Sequence, residues 1–281
     1  MIEFLNNYLG LPFAASQHAA KLDNMNSWVH WLMLILFVGW GAFFIFTIIK
    51  FRSNASPKAD YDGVKSNFSK YTEVGIIIFE AFLLIGFAYP IWSELKTEVP
   101  SIKENTIQVR VIAQQFAWNI HYPGQDGKFG PTKPNLVDPA TNPIGIDRTA
   151  PTGADDIVTV NQLHLPVNKL AMIYLTSMDV IHSFALPEMR VKQDAIPGMS
   201  IPVFFTPTET SKNFLSKISG SKRDKPEIGM GGYEIACAQL CGNSHYKMRG
   251  FLTVGTEEEF NAFLAEEAEY LEEEDEDDDD W

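Results

Sequence analysis

Apolar residues are bunched near the start of the chain and alternate with polar ones further on. Between Asp23 and Lys50 no Asp, Glu, Lys or Arg occurs over 26 residues. The apolar core of that stretch, Trp28 to Ile49, can cross a hydrocarbon layer of roughly 30 Å at about 1.5 Å per helical residue. Between Glu73 and Glu94 lie 20 residues with a single charge, Glu80. Both stretches are apolar on every side, which suits lipid better than the core of a small soluble domain. The pattern therefore predicts two membrane spans, residues 27–49 and 74–92, with Trp28, Trp31 and Trp92 near the water interfaces.

After Trp92 the pattern changes. In Thr106–Tyr122, Ile107, Val109, Val111 and Ala113 alternate with polar neighbours, which is strand periodicity. Pro123–Asp156 is rich in Gly, Pro, Asn and Asp with no sustained period, and reads as a long loop or insertion. Short strand-like runs follow at Ile157–Leu165, Leu170–Thr176, Val180–Leu186, Ile201–Thr206, Tyr233–Cys237 and Phe251–Val254. Pro166, Pro187, Pro197, Pro202 and Pro207 punctuate them. Several short strands at this spacing predict a β-sandwich or barrel, interrupted by a second polar loop, Ser211–Gly232.

Charge refines the picture. The chain of 281 residues has a formal charge of −14, but 15 of its 36 acidic residues fall between Glu257 and Asp280, where no basic residue occurs. Removing them leaves 21 acidic against 22 basic, so the body is near neutral and the acidity belongs to a tail. Nucleic acid is excluded as a partner, since neutralising phosphates requires an excess of Lys and Arg. Thr256 and Glu259 have capping-box spacing, and Phe260, Phe263, Leu264 and Leu271 form a helical stripe. A short amphipathic helix is expected from about 257 to 271, followed by a disordered acidic run, Glu272–Asp280. That run serves either as a solvated tail or as a steering field for a basic partner.

Lys50, Arg52, Lys58, Lys65 and Lys70 flank the loop between the spans, whereas only Lys21 precedes the first span. By the positive-inside rule the loop is cytoplasmic and both chain ends lie outside. Residues 1–26 form an outer leader and lack the basic start of a cleaved signal peptide.

The chemistry lies near the end of the strand series. Cys237 and Cys241 are the only cysteines, in the run CAQLCGNSHYKM, with His245 and Met248 following at regular offsets. On a straight helix these four would spread over about 16 Å, so a common metal site requires the segment to fold back as a loop. Gly242 and Asn243 are residue types that permit such a turn. Four readings stand open: a disulfide, a structural zinc site, packed free thiols, or copper, which suits two thiolates with an imidazole and a thioether. A second imidazole is available at His182, in DVIHSF.

These motifs, with QFAWN and MRVKQDAIPG (Met189–Gly198), resemble subunit II of the haem–copper cytochrome c oxidases from the first span to Val254. The resemblance implies a two-helix transmembrane hairpin over residues 27–93, then an all-β, cupredoxin-like Greek-key barrel over 94–256 and an acidic tail over 257–281. It implies a binuclear copper centre, called CuA. Cys237 and Cys241 would bridge two copper ions, His182 and His245 would bind one each, and Met248 and the backbone carbonyl of Gln239 would be weak axial ligands. The implied role is to accept electrons from cytochrome c, or from a c-haem domain of a partner complex, and pass them to haem in subunit I. There O2 is reduced to water with proton translocation.

Phe116 and Trp118 are candidates for the point where the electron arrives, and Glu73 for the mouth of a proton path into subunit I. Most of the family carries Glu where Gln239 stands, so a carboxylate ligand for an interface magnesium is not carried over. No Cys-x-x-Cys-His occurs, so no c-type haem is attached to this chain. The implied surroundings are membrane lipid, subunit I and further oxidase subunits. The implied location is a bacterial inner membrane with the copper domain in the periplasm, or alternatively the mitochondrial inner membrane. A membrane-tethered copper carrier and the CuA domain of another respiratory reductase are the competing functions.

Overall fold

The structure, a computed structural model, describes residues 10–52, 61, 65–218 and 232–278, with side chains to residue 271 of the last helix. Residues 1–9 of the leader, Lys58 of the basic loop, most of the second polar loop and residues 279–281 lie outside the described residues. Two compact units divide the chain: one holds Ala20–Glu98, the other Pro12–Ala19 and the residues from Val99 onward.

The first unit contains α1 (Ala19–Lys50) and α2 (Phe68–Lys96), of 32 and 29 residues, each long and apolar enough to cross a membrane. Both exceed the expected spans, because the polar residues at their ends continue the helix beyond the apolar stretch. Large apolar side chains such as Ile35, Phe37 and Trp40 stand mostly exposed around α1. A chain folded for water would bury that surface. Lys21 Nζ meets Glu94 Oε2 at 2.7 Å, joining the start of α1 to the last turns of α2, as a hairpin requires. Within α2 the segment Leu84–Ala88 is π-helical.

The second unit is a sandwich of two five-stranded sheets. One has the order β3-β2-β1-β5-β8 and the other β4-β10-β9-β6-β7. The strands are β1 (Ile107–Gln114), β2 (Ala117–Tyr122), β3 (Ile157–Val160), β4 (Gln162–Pro166), β5 (Ala171–Ser177), β6 (His182–Leu186), β7 (Val191–Ala195), β8 (Ile201–Phe205), β9 (Tyr233–Cys237) and β10 (Arg249–Gly255). The β1–β5 and β4–β10 pairs are parallel and the rest antiparallel, so the fold is the expected Greek-key, cupredoxin-like domain. The alternation in β1 sends Val109, Val111 and Ala113 into the core between the sheets, with Trp118, Ile120, Phe184 and Leu252.

Several local expectations are corrected. Thr106–Tyr122 is a hairpin, not one strand, because the chain reverses at Gln115 and Phe116. Ile157–Leu165 breaks at Asn161, whose φ of 61° is left-handed. The polar sequence of β7 hid a strand, since Lys192 and Asp194 alternate with buried Val191 and Ala195 at a sheet edge. The second loop opens with a helix, α3 (Ser211–Ile218), started by the Thr210 hydroxyl accepting from the Asn213 N–H. Residues of the leader join the second unit: the Ala15 N–H donates to Glu188 and the Thr208 N–H to Ala15, each at 2.8 Å.

The insertion 123–156 covers the outer face of the first sheet. Ile144 and Ile146 pack on Ile112, and Arg110 lies 4.5 Å from the centre of the Phe129 ring. Buried His121 pairs with buried Asp156 at 2.6 Å, and the same carboxylate accepts the N–H groups of Gly124 and Gly130. A Cβ on Gly130 would stand 2.4 Å from Gly153 Cα, so the loop closes only with glycine there.

The tail helix, α4 (Glu257–Asp278), runs past the expected end, and its backbone stays helical through most of the acidic run. Its start is the capping box: the Glu259 N–H donates to the Thr256 hydroxyl, and the Thr256 N–H to the Glu259 carboxylate. Once a turn is nucleated, adding Glu residues costs little, which outweighs their mutual repulsion. Phe260 is buried, contributing on the order of 2 kcal/mol. Phe263 stacks flat on His164 at 3.7 Å.

Burial beneath α4 lowers the His164 pKa to about 4, against an ordinary 6.5. His164 is therefore neutral when packed, and unfolding lets it take a proton at any pH between those values. Its contribution is complete above about pH 6.5 and is lost as pH falls toward 4. Allowing for solvent screening at a partly exposed ring, the loss is about 1–2 kcal/mol. Protection factors in α4, which allow for the slower intrinsic exchange at low pH, should decrease from pH 7 to pH 4.5, and His164→Phe should flatten that dependence.

Candidate metal centre

Strand pairing brings the candidate ligands to one end of the sandwich. Cys237 closes β9, and β9 pairs with β6 so that Phe184 faces Cys237. Since β6 starts at His182, that imidazole reaches the same end as the thiol, with Nδ1 3.9 Å from Cys237 Sγ. The chain then leaves β9, turns over residues 238–248 and returns as β10, pairing Arg249 with Ala236. This antiparallel return carries Met248 back to the level of Cys237.

The four loop residues meet there. Cys237 Sγ and Cys241 Sγ are 3.8 Å apart. That is well beyond the ~2.05 Å of a disulfide, and two sulfurs so placed can both lie about 2.3 Å from one ion. His245 Nδ1 is 3.5 Å and Met248 Sδ 3.8 Å from Cys241 Sγ. The Gln239 carbonyl oxygen lies 3.2 Å from Cys237 Sγ. Each sulfur thus has its own imidazole. The donor atoms of His182, Cys237 and Cys241 all lie within 4.8 Å of one another, the one such group of metal-binding side chains among the described residues. Two thiols, two imidazoles and a buried thioether form a soft set, which fits copper and leaves zinc without a use for Met248.

Two further residues hold this arrangement, and the sequence reading passed over both. His182 Nε2 meets Asp179 Oδ1 at 2.8 Å. A carboxylate there accepts a hydrogen bond from the Nε2–H and leaves the Nδ1 lone pair facing the sulfurs. Asp179 also accepts the N–H groups of Gln115 (2.7 Å) and Val180 (2.6 Å). Burial acts to raise its pKa, but the bonds from His182, Gln115 and Val180 outweigh it, so the carboxyl stays below its ordinary range. Gln115 Nε2 in turn donates to the Cys241 carbonyl at 2.6 Å. The signal for Asp179 was its place three residues before His182 in DVIHSF, whereas nothing in QQFAWN marks Gln115.

Gly242 completes the turn with a φ of 135°, and a Cβ there would stand 2.7 Å from Gln115 Nε2 and 3.0 Å from Phe116 Cζ. Burial, followed by the neighbouring Cys237, pushes the Cys241 thiol up to about 11. It therefore keeps its proton near neutral pH until a cation displaces it.

The aromatic candidates separate. Trp118 is fully buried, edge-on to His182 at 6.2 Å and to Phe184 at 5.5 Å. Phe116 is half-buried beside Gly242. Gln239 is exposed and offers an amide where a carboxylate would be needed to hold magnesium. Glu73 stands exposed on α2 in the helical unit and is not part of this cluster.

Residues 107–220 match the family model for the periplasmic domain of cytochrome c oxidase subunit II. The match ends before Cys237, so the cysteine loop rests on the geometry above and on longer relatives. An alternative cytochrome c oxidase subunit 2 of Bradyrhizobium diazoefficiens is 28% identical, over 88% of this chain and 80% of its own. A cytochrome c oxidase subunit 2 of Synechocystis is 23% identical, over 92% of this chain and 76% of its own. Among solved structures, the periplasmic domain of subunit II of the Bradyrhizobium japonicum cytochrome oxidase aligns over 62% of this chain and 99% of its own, at 26% identity and a TM-score of 0.39. The family match, the near full-length relatives and the two-helix-plus-sandwich order agree, and together they support identifying the chain as similar to subunit II of the cytochrome c oxidases.

Proposed function

We propose that this chain is the electron-accepting subunit of a membrane-bound cytochrome c oxidase, with a binuclear copper centre in its β domain. The observation that carries the proposal is the pair of sulfurs 3.8 Å apart with an imidazole beside each. Bound copper would supply a site that takes one electron at a time from a c-type cytochrome, for onward transfer to haem in subunit I. Cys237 and Cys241 would hold the copper through their sulfurs, His182 and His245 through one imidazole each, and Met248 and the Gln239 carbonyl would be weak donors that tune the potential. Asp179 and Gln115 fix one imidazole and the loop, so the ligands need not rearrange when charge changes. Phe116, half-buried against the loop, is the proposed place where the electron arrives, and buried Trp118 packs the ligand His182 from behind.

The two spans anchor the subunit, and the placement of basic residues favours a β domain in the periplasm of a bacterial inner membrane. Glu73 would lie at the cytoplasmic mouth of a proton path into subunit I. Glu80, seven residues and about 10 Å further along α2, is exposed on this chain alone. An ionisable group at that depth faces protein or water, so the α2 face bearing Glu80 is assigned to subunit I.

In the purified complex, Cys237→Ser or Cys241→Ser should abolish copper binding in this subunit, read by metal analysis. Met248→Leu should keep the copper, shift its reduction potential and slow electron transfer. One zinc per chain in the wild type would refute the copper assignment. Glu73→Gln should slow turnover several-fold with copper content intact, measured as O2 consumption at saturating donor. Unchanged turnover removes Glu73 from the proton path.

A further inference from the structure

The end of the sandwich that carries the metal ligands is apolar and almost uncharged. Its loops are residues 115–116, 178–181, 196–200 and 238–248. On a chain of net charge −14, these loops hold two formal charges of opposite sign, Asp179 and Lys247. Asp179 is engaged by His182, Gln115 and Val180, and Lys247 lies 5.5 Å from the centre of the Tyr246 ring. At the rim, Arg249 faces Glu234 at 3.4 Å, and Lys192 and Asp194 stand together on β7, so the rim is balanced as well.

Large apolar side chains project from the same loops. Met178, Val180, Ile181, Met199, Leu240 and Tyr246 are all exposed, Leu240 to 77% and Tyr246 to 70%. The loops are tied to one another: Ser177 bridges to Pro197, the Ser177 hydroxyl donates to the Val180 carbonyl, and Gln115 reaches Cys241. This is a held surface over buried ligands, not a set of loose loops. The acidic helix α4 begins at the other end, after Gly255, where Glu257 meets Lys169 at 3.2 Å.

We propose that the electron donor received at this apolar end presents an uncharged, apolar rim around its exposed cofactor edge. The inference rests on the electron-accepting role and names the chemistry of its partner. A donor recognised through charge would need a field of one sign at the contact, and the loops offer none. A patch of exposed Met, Leu and Tyr side chains without charge matches the composition of interface centres. Met side chains repack at low cost, which suits a brief contact. Binding of this kind responds weakly to salt, because screening acts on charges and not on apolar contact.

The test uses the purified oxidase complex, with a near-neutral and a strongly basic c-type cytochrome as probes. Copper content and reduction of the copper by ascorbate with a small mediator are measured first. If copper is absent or is not reduced, the electron-accepting role itself fails. With that role intact, kcat/KM for the near-neutral cytochrome should change by less than about threefold between low and physiological salt. It should also exceed the value for the basic cytochrome at physiological salt. Met178→Asp and Met199→Asp should each raise KM about tenfold, with kcat and copper content unchanged, while Met199→Gln should have a small effect. A fall of tenfold or more in kcat/KM with added salt, or an unaltered KM in both Asp variants, overturns the proposal. Loss of this chain from the complex in those variants, with KM unaltered, assigns the surface to a permanent neighbouring subunit and overturns it equally.

Discussion

A metal held by residues 237, 241, 245 and 248 demands that a short segment reverse on itself, and the antiparallel pairing of β9 with β10 meets that demand. Arg249 lies opposite Ala236, so the chain must return to the level at which it left. Everything between has to fit inside the reversal. Gly242 supplies the backbone conformation at the point of closest approach, and Gln115 clamps the Cys241 carbonyl from the neighbouring sheet. His182 arrives by the same logic, because β6 pairs with β9 and starts at the imidazole. The site is therefore a consequence of sheet register. A slip of one residue would turn Cys237 to the opposite face.

The rest of the β domain keeps that register rigid. Fully buried Trp118 and Phe184 fill the space behind His182, and the parallel pairing of β1 with β5 carries Gln115 and Ser177 to the same end as the ligands. The insertion covers the outer face of the first sheet, and α4 closes the core between the sheets beside β3, β4 and β10. Each covering element packs on a strand imidazole whose pKa is lowered by burial, the insertion on His121 of β2 beside Asp156 and α4 on His164 of β4 beneath Phe263. The covering layers thus hold best at neutral pH, while the ligand end carries only two formal charges, Asp179 and Lys247.

Much of this was legible in the sequence. The charge-free stretches marked both helices, period-two alternation marked β1, and the spacing of Cys237, Cys241, His245 and Met248 marked the loop that carries them. The missed elements have physical causes. Strand β7 carries Lys192 and Asp194 outward on a sheet edge, so its sequence lacks an apolar run. The extension of α4 through acidic residues follows from helix propagation, which a judgement based on charge alone overlooks. Gln115 acts through a hydrogen bond to the Cys241 carbonyl, 126 residues away, which no sequence spacing reports, and Asp179, although only three residues before His182, makes its other bonds with the backbone N–H groups of Gln115 and Val180. The separation of Trp118 from Phe116 depends on which residue of a hairpin turns inward, and that is fixed by the pairing of Ala113 with Trp118.

The central claim is the proposal that Cys237 and Cys241 would hold two copper ions over which one unpaired electron is shared. Electron paramagnetic resonance of the purified complex, oxidised and free of adventitious copper, tests it most directly. The account predicts a hyperfine pattern from one unpaired electron spread equally over two copper nuclei, lost when either cysteine is replaced. A pattern from a single copper nucleus, or a silent site holding zinc, would contradict it.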